Sequence, residues 1–215
     1  MAKTIFSLNE IHVQVMYPTR FRIEQVDAGK QTCKKETPEV NYFNLGYFAN
    51  MADGSTIPVG NLVIHGKIIT DAATQPNWLN TYKHKLTTLV IHKNNNMDFY
   101  NTDDMRNIPS VKYAVSGIPI IRNGYTVSMD DIKSEGYFGN ECYDTWHGFL
   151  GIRGDQLVYV AAKMGFDQMV YLLEVLGIKD AIKLDGGGSF ILKNNTSEEI
   201  KTSGNRRINN IGVWW

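Results

Sequence analysis

The sequence has few cysteines, no excess of charge and no long apolar run. Its 215 residues include only two cysteines, Cys33 and Cys142, which lie far apart and match no metal-ligand spacing. Two cysteines are too few for a disulfide framework, so we expect two free thiols in a reducing compartment. The 22 basic and 22 acidic residues cancel, so a role on nucleic acid or on a membrane surface lacks its usual electrostatic support.

The lack of long apolar runs also bears on location. The N-terminal stretch MAKTIFSLNEIHVQV has no continuous apolar core of the kind found in secretory signals, and no later segment approaches a membrane span. We therefore expect a cytoplasmic protein that does not enter a membrane. Release by lysis of a bacterial host cell, as part of a virus particle, stays open as another route out of the cell.

What the sequence does contain is typical of a globular protein rich in β-structure. Hydrophobic residues make up 43% and aromatic residues 11%, and the length suffices for one sizeable core, so we expect a single domain over residues 1–215. Runs rich in Val, Ile, Thr, Tyr and Phe, several of them bounded by Gly, Asn or Asp, predict strands. These runs cover residues 11–17, 21–26, 42–48, 61–69, 85–93, 111–117, 148–154 and 156–162.

One helix is predicted, shortly before a glycine-rich turn. In GFDQMVYLLEVLG, residues 165–177, the apolar residues recur at helical spacing and Gly177 stands where a C-terminal cap would. KDAIKLD then predicts a short strand that leads into the glycines, and FILK and RRINNIGVWW predict two more. Since strands and helices do not alternate, we expect an α+β fold. Its sheet is mixed but mainly antiparallel, and one principal helix precedes the DGGGS strand and turn.

The segments between these runs predict hairpins and irregular loops. The closeness of two strand runs around GDQ, residues 154–156, predicts a hairpin, and HKNNNMDFYNTDD, residues 92–104, predicts a hairpin tip with a polar rim. The polar segments 27–40 and 128–147 predict irregular excursions over one face, where binding residues are often found.

The stretch LDGGGSF, residues 184–190, is the strongest chemical signal in the chain. Alternation along the strand AIKLD predicts that Ile182 and Leu184 face the core, while Lys183 and Asp185 share the opposite face. Consecutive glycines allow positive φ angles and let backbone N–H groups point into one space, where they form an anion-binding concavity.

Two interpretations of this stretch stay open. In the first, Asp185, the amides of Gly186, Gly187 and Gly188, and the Ser189 hydroxyl together hold a sugar phosphate. In the second, the glycines form a turn and Asp185 only caps its amides. A P-loop is rejected, because Ser189 is followed by FILK and no helix signal.

The flanking sequence adds further blocks in a consistent order. FNLGYF, VSGIPIIRNG and GFLGI precede GFDQMVYLLEVLGIKDAIKLDGGGSFILK, and SGNRRINNIGV follows it. Over roughly residues 40–214 these blocks resemble the phosphodiester glycosidase family, and the last third of the chain carries the most specific match. The resemblance implies hydrolysis of a sugar 1-phosphodiester, with a small-molecule or glycan sugar phosphate as substrate.

The resemblance also implies roles for individual residues. It assigns acid, base or electrostatic work to Asp185, and phosphate binding to Arg206 together with the 186–188 amides. It assigns substrate hydroxyls to Asn44, which together with Gly46 matches the family's Asn-x-Gly block. Glu141 and Asp144 are candidates for the second carboxyl group that glycosidases usually require.

Three positions depart from the family pattern. His147, preceded by Trp146, stands where the family usually carries an arginine, so a fixed charge becomes a titratable group, and we predict a catalytic role for it. Lys183 replaces an asparagine, and we predict that it favours the ionised Asp185 carboxylate and binds phosphate. It would also compete with a divalent cation, which stays open as a cofactor. Phe190 replaces a small hydroxyl residue and is expected to narrow or cover the pocket.

These observations leave three functions in competition. The first is a hydrolase that cleaves a sugar from a sugar 1-phosphodiester. The second is a binding protein for a sugar nucleotide or cyclic nucleotide with little or no turnover. The third is a virion-associated scaffold with the same fold. The sequence makes no prediction about the oligomeric state.

Overall fold

The structure is a computed structural model that describes residues 3–8, 11–26, 41–137, 145–194, 197–201 and 208–215. Two α-helices lie in these ranges, α1 (Met129–Ser134) and α2 (Phe166–Val175), with 3-10 turns at Pro18–Arg20, Met105–Asn107 and Gly187–Ser189. The strands are β1 (Lys3–Leu8), β2 (Ile11–Met16), β3 (Phe21–Gln25), β4 (Asn41–Asn44), β5 (Phe48–Asn50), β6 (Thr56–Pro58), β7 (Leu62–Ile64), β8 (Lys67–Thr70), β9 (Leu86–His92), β10 (Met97–Thr102), β11 (Val111–Ser116), β12 (Ile118–Arg122), β13 (Tyr125–Thr126), β14 (Thr145–Arg153), β15 (Gln156–Met164), β16 (Asp180–Lys183), β17 (Ile191–Asn194), β18 (Ser197–Lys201) and β19 (Asn210–Trp214).

The strands form three larger sheets and one two-stranded ribbon. The first sheet has the order β1-β2-β15-β14-β16-β12-β13, the second β10-β9-β11-β7-β8 and the third β18-β17-β4-β19-β3, while β5 pairs with β6. All pairings among the described strands are antiparallel. The predicted antiparallel character is therefore confirmed. The parallel component of a mixed sheet is not found in the described part.

The core lies on both faces of the seven-stranded sheet. Along β15, Val158 and Val160 pack on the face covered by α2, whereas Leu157 and Tyr159 pack toward the other two sheets. Period-two alternation of apolar residues on both faces explains why β15 is buried from Leu157 to Ala162. Full burial of each Val or Leu side chain contributes about 1.5–3 kcal/mol.

The predicted helix and the first hairpin are confirmed, whereas the predicted tip at 92–104 is shorter, because residues 97–102 form strand β10. Helix α2 ends in a Schellman motif, in which Ile178 N–H donates to the Leu173 carbonyl at 3.0 Å and Gly177, with φ of +72°, supplies the left-handed residue. A two-residue turn that begins with Gly154 joins β14 to β15, and β9 and β10 form the second hairpin, with its tip at residues 93–96. None of the helices among the described residues has the length and hydropathy needed to cross a membrane.

Three predicted segments differ from the structure. Residues 61–69 are two strands rather than one, because His65 and Gly66 both have positive φ angles (51° and 79°) and make a tight hairpin turn. The run 42–48 is divided between β4 and β5.

The segment 128–147 is not irregular throughout. It contains α1, whose N-cap Ser128 accepts a hydrogen bond from the Asp131 N–H, and the first residues of β14. Residues 138–144 and the segment 27–40, and with them both cysteines, lie outside the described residues.

Candidate functional site

Strand β16 places the glycine turn at one end of the seven-stranded sheet. It pairs with β14 on one side and β12 on the other. Ile182 and Leu184 pack into the core toward the other sheets, as the alternation predicts. Lys183 is paired with Phe149, and Phe149 belongs to the cluster on the opposite face. The strand therefore presents Lys183 on the face that also carries α2, and Asp185 follows in the turn.

The turn after β16 is closed by its own backbone and by the Asp185 side chain. The Gly186 N–H donates to Asp185 Oδ1 at 2.9 Å, so this carboxylate caps the first glycine amide. Ser189 N–H donates to the Gly186 carbonyl at 3.1 Å and completes the 3-10 turn. Gly187 has a φ of +55°, which an L-residue adopts only with strain.

Asn44 joins the two ends of this turn. Its amide nitrogen donates to the Asp185 carbonyl at 2.6 Å, and its amide oxygen accepts from the Ile191 N–H at 3.0 Å. Two residues later, Gly46 N–H donates to Asn210 Oδ1 at 2.6 Å, and a Cβ at Gly46 would lie 3.2 Å from that same oxygen. The Asn-x-Gly block thus fixes the backbone of the turn. Binding of a substrate hydroxyl by Asn44 stays a prediction.

His147 packs directly against the glycine turn. A Cβ added at Gly186 would lie 2.8 Å from the Trp146 carbonyl oxygen and 3.3 Å from His147 Nδ1, so only glycine fits there without a shift. Leu184 N–H donates to the Gly148 carbonyl at 2.8 Å, which continues the β14–β16 ladder beyond the Phe149–Lys183 pair. Beyond this point the chain leaves the ladder, since Asp185 N–H donates to the Leu45 carbonyl at 3.1 Å.

Lys183 is buried, with 4% of its surface exposed. Its Nζ donates to the Tyr47 hydroxyl at 2.9 Å and to the Leu184 carbonyl at 3.3 Å, and it lies 5.4 Å from the centre of the Tyr47 ring. The Tyr47 ring in turn lies 6.0 Å from that of Tyr137. Sequence reasoning did not single out Tyr47, although it stands inside the FNLGYF block.

The expectation that Phe190 narrows or covers the pocket is wrong. Its ring is buried in the core cluster on the opposite face from Lys183, where it stacks on Trp146 with centroids 5.0 Å apart and planes 19° apart. The His12 ring lies 5.8 Å from that of Trp146, and burial lowers the pKa of His12. Aromatic stacking thus accounts for Phe190 as a core residue.

Other candidates have different positions. Ser189 is buried, and no hydrogen-bond partner for its hydroxyl is found among the described residues. Arg206, Glu141 and Asp144 lie outside the described residues. Within the described ranges, no group of three or more His, Cys, Asp or Glu side chains is placed to hold a metal ion.

A family model for phosphodiester glycosidases matches residues 39–213. The chain belongs to the phosphodiester glycosidase family. The resemblance drawn from the sequence blocks is therefore confirmed, and glycosidase-type hydrolysis of a phosphodiester is the activity that the family suggests. Among curated proteins, none matches the sequence.

Solved structures share the fold of this chain. The catalytic domain of zebrafish N-acetylglucosamine-1-phosphodiester alpha-N-acetylglucosaminidase, auto-inhibited by its pro-peptide, matches with a TM-score of 0.72 and 14% identity, over 100% of this chain and 81% of that one. A protein from Burkholderia pseudomallei K96243 matches at 0.63 and 10% identity, over 95% and 73% of the two chains. A protein from Synechocystis matches at 0.60 and 12% identity, over 99% and 61%. At these identities the likeness shows the fold alone.

Proposed function

We propose that the chain hydrolyses a sugar 1-phosphodiester at the face shared by Asp185, His147 and Lys183. The observation that carries the proposal is the close packing of His147 against Gly186. It brings an imidazole to a glycine turn that already holds a carboxylate, two residues from a buried ammonium. In a member of the phosphodiester glycosidase family, such a group of charges suits a phosphate-bearing sugar.

The reaction adds water across the bond between the anomeric carbon and the phosphate oxygen. Its products are the free sugar and a phosphate monoester. The developing positive charge on the sugar is stabilised by a nearby carboxylate, which suits Asp185. The leaving phosphate is stabilised by a cation and by backbone N–H groups, which suits Lys183 and the glycine turn. An imidazole can both accept and donate a proton, which suits His147 to carry the proton that water loses or the leaving oxygen gains.

The test is turnover by the purified protein on a panel of sugar 1-phosphodiesters, including nucleotide sugars, with free sugar and phosphate monoester measured together. Wild type should release both in equal amounts. Asp185→Asn keeps the size of the side chain and should lower kcat by about 10²–10⁴-fold. Tyr125→Phe is the matched control, because Tyr125 is 78% exposed on β13, the edge strand of its sheet. Equal inertness of wild type and Asp185→Asn across the panel would contradict the proposal.

A second candidate is a binding protein that holds a sugar nucleotide or cyclic nucleotide without cleaving it. The observation that favours it is the burial of His147, which is 4% exposed at the position where the family usually carries an arginine. A buried imidazole packed on Gly186 supports the turn without supplying a fixed charge. Such a protein would gain about 2.7 kcal/mol of stability at a ligand concentration of 100 Kd, and the ligand would be recovered intact. Recovery of cleaved ligand would exclude this candidate.

A further inference from the structure

A largely apolar groove of about 680 Å³ lies beside α2. Ile11 of β2 and Met164 of β15 line it from the sheet, and Tyr171 and Val175 line it from the helix. Tyr171 is 68% exposed and Val175 is 64% exposed, and residues four apart lie on the same side of a helix. Apolar surface left in water is unfavourable, and a contiguous patch of it often marks a ligand groove.

The groove begins at the same end of the seven-stranded sheet as the glycine turn. Strand β15 ends at Met164, and α2 starts two residues later. At this end, His147 Nδ1 lies 3.3 Å from the position of a Cβ at Gly186. The strand register pairs His147 with Ala162, and Ala162 with Ile11. Because neighbouring strands lie about 4.8 Å apart, Ile11 at the near end of the groove is about 10 Å from His147 across the sheet.

The groove and the candidate site also lie on one face of that sheet. Ile11 and Met164 pack against the core cluster that contains Phe149. The His147 ring lies 6.1 Å from the Phe149 ring, and Lys183 is paired with Phe149 across the strands. Residues two apart on a strand share a face, so His147 belongs to this face as well. A ligand on the glycine turn can therefore reach α2 without crossing the sheet.

Along α2, the lining of the groove changes from polar to apolar. Asp167 and Gln168 stand in the first turn of the helix, next to the end of β15. Tyr171 and Val175 follow one and two turns later. From Asp167 to Val175 the helix rises about 12 Å. This order matches a ligand whose polar head lies at the glycine turn and whose apolar chain points away from it.

The size of the groove favours a ligand over a second copy of the chain. An interface between proteins buries about 800 Å² on each partner. A groove bordered by one ten-residue helix offers much less than that. Its volume falls instead within the range of roughly 300–1,000 Å³ that is usual for small-molecule sites, which are mostly apolar with a few polar groups.

We infer that this groove binds the apolar chain of a substrate whose sugar phosphate lies on the glycine turn. The substrate class is then a sugar 1-phosphodiester of a long-chain alcohol, and its hydrolysis releases the free sugar and the alkyl phosphate. This inference rests on the proposed function, since it assumes that a sugar phosphate binds at the turn. A nucleoside in the groove would place its ribose hydroxyls against apolar side chains, which is unfavourable.

The test compares two esters of each sugar 1-phosphate in the substrate panel, methyl and octyl, with the octyl ester kept below the concentration at which it forms micelles. For wild type, KM for the octyl ester should be about 100-fold lower than KM for the methyl ester. Burial of about four methylene groups supplies a factor of this size. The two kcat values should differ by less than about twofold, because the chain is bound equally in the ground and transition states.

Val175→Glu places a charge at the apolar end of the groove, at a position exposed enough to accept it without disturbing the core. The ratio of KM for the methyl ester to KM for the octyl ester should fall about tenfold. Glu174→Gln is the matched control, because Glu174 is an exposed neighbour on α2 that does not line the groove, and it should keep the wild-type ratio. Thermal unfolding checks that both variants are folded. A wild-type ratio in Val175→Glu would overturn the inference.

The outcomes also distinguish this inference from the proposed function. If wild type cleaves both esters with the same KM, the inference is wrong while the proposed function stands. If the esters bind but are not cleaved, the proposed hydrolysis fails, and the same ratio taken from Kd values decides whether the groove holds the chain. If folded wild type neither binds nor cleaves either ester, both fail together. A dimer in sedimentation that Val175→Glu dissociates would show that a second copy fills the groove, and would overturn the inference.

Discussion

Two buried charged side chains, Glu135 at the end of α1 and Lys183 at the end of β16, have very different contacts. Glu135 is 3% exposed, and its carboxylate accepts from the Thr87 N–H at 2.6 Å, the Thr87 hydroxyl at 2.8 Å and Asn101 Nδ2 at 3.0 Å. It also forms an ion pair with Arg122, whose Nη2 lies 2.6 Å from Glu135 Oε1. We call these four residues the Glu135 cluster. Its charge is met by an opposite charge and by neutral donors.

Lys183 is buried to a similar degree, and its ammonium donates to the Tyr47 hydroxyl and to the Leu184 carbonyl. The Glu135 cluster ties α1 to β9, β10 and β12, whereas Lys183 and Tyr47 border the glycine turn. The difference teaches that buried charge serves two purposes in this fold. A charge surrounded by its counter-ion and donors stabilises the packing. A charge that borders the glycine turn is placed, on our proposal, to meet a ligand.

The largest expected effect comes from breaking the Glu135 cluster. Glu135→Ala leaves the Arg122 guanidinium and the Thr87 N–H without their carboxylate, so the free energy of unfolding should fall by about 3 kcal/mol. Urea denaturation measures this loss. Turnover per folded molecule should stay at the wild-type level, because Glu135 lies outside the proposed site. A loss below about 1 kcal/mol would contradict a stabilising role for the Glu135 cluster.

Gly186→Ala should affect both stability and activity. The new Cβ would meet the Trp146 carbonyl and His147 Nδ1, so the turn or the end of β14 must shift, at a cost of about 2 kcal/mol. Turnover should fall as well, because the shift separates His147 from the turn.

Gly124→Ala is the matched control for that variant. Gly124 has a φ of +81° with no other atom within 4 Å of an added Cβ, so it costs about 1 kcal/mol through backbone strain alone. For Gly124→Ala, turnover should equal that of wild type, and denaturation of the same samples gives the change in stability. Equal turnover of both glycine variants would contradict a functional role for the contact between His147 and Gly186.

The ionisation of Glu135 makes the stability of the protein depend on pH. Burial raises the pKa of Glu135. This effect is larger than the opposite effect of its hydrogen bonds and of Arg122, which lower the pKa. The native state then holds this proton at pH values where the unfolded chain has lost it. The stabilising contribution of the protonated form is complete below the ordinary value of 4.5 and is lost as pH rises through the raised pKa.

Denaturation of wild type and Glu135→Gln at several pH values across this range tests whether the pKa of Glu135 is raised or lowered. The stability of wild type relative to Glu135→Gln should decrease as the pH rises above 4.5, because glutamine cannot titrate. A relative stability of wild type that increases with pH would mean that the pKa of Glu135 is lowered, and that the ion pair with Arg122 outweighs burial.

The smallest effect is expected at Tyr159, a third buried polar group. Its hydroxyl is fully buried with no hydrogen-bond partner among the described residues, and burial raises its pKa. The ring stacks on Phe43 with centroids 3.8 Å apart, so Phe can replace it without a cavity. Tyr159→Phe should change the free energy of unfolding by less than about 1 kcal/mol, in the stabilising direction if at all. A clear destabilisation in thermal denaturation would reveal a partner for the hydroxyl.

Local features of the fold were predictable because their signals lie within a few residues of one another. Helix α2 has an apolar stripe and a terminal glycine, and the β14–β15 hairpin has a two-residue turn between β-rich runs. Helix α1 was missed because only Ile132 of its six residues is buried, which leaves no helical periodicity. The turn at His65 and Gly66 was missed because positive φ angles are uncommon at non-glycine residues such as His65.

The candidate site was predictable only in part. The acid, the glycines and the placement of Lys183 opposite to Ile182 and Leu184 follow from one short strand and its alternation. The contacts that hold them come from remote segments: Asn44 lies 141 residues from Asp185, and Tyr47 lies 136 residues from Lys183. The Glu135 cluster likewise joins positions 13 to 48 residues apart. Such pairs depend on how the sheets pack, which a single sequence does not encode in any local pattern.

The most direct measurement is a structure of Asp185→Asn with an uncleaved nucleotide sugar bound. We expect the ligand phosphate within about 3 Å of the backbone N–H groups of the 186–188 turn and of Lys183 Nζ. The competing location is the groove of about 680 Å³ beside α2, lined by Ile11, Tyr171 and Val175 among others. A ligand seated in that groove, with the glycine turn unoccupied, would contradict the assignment of the turn as a sugar-phosphate site.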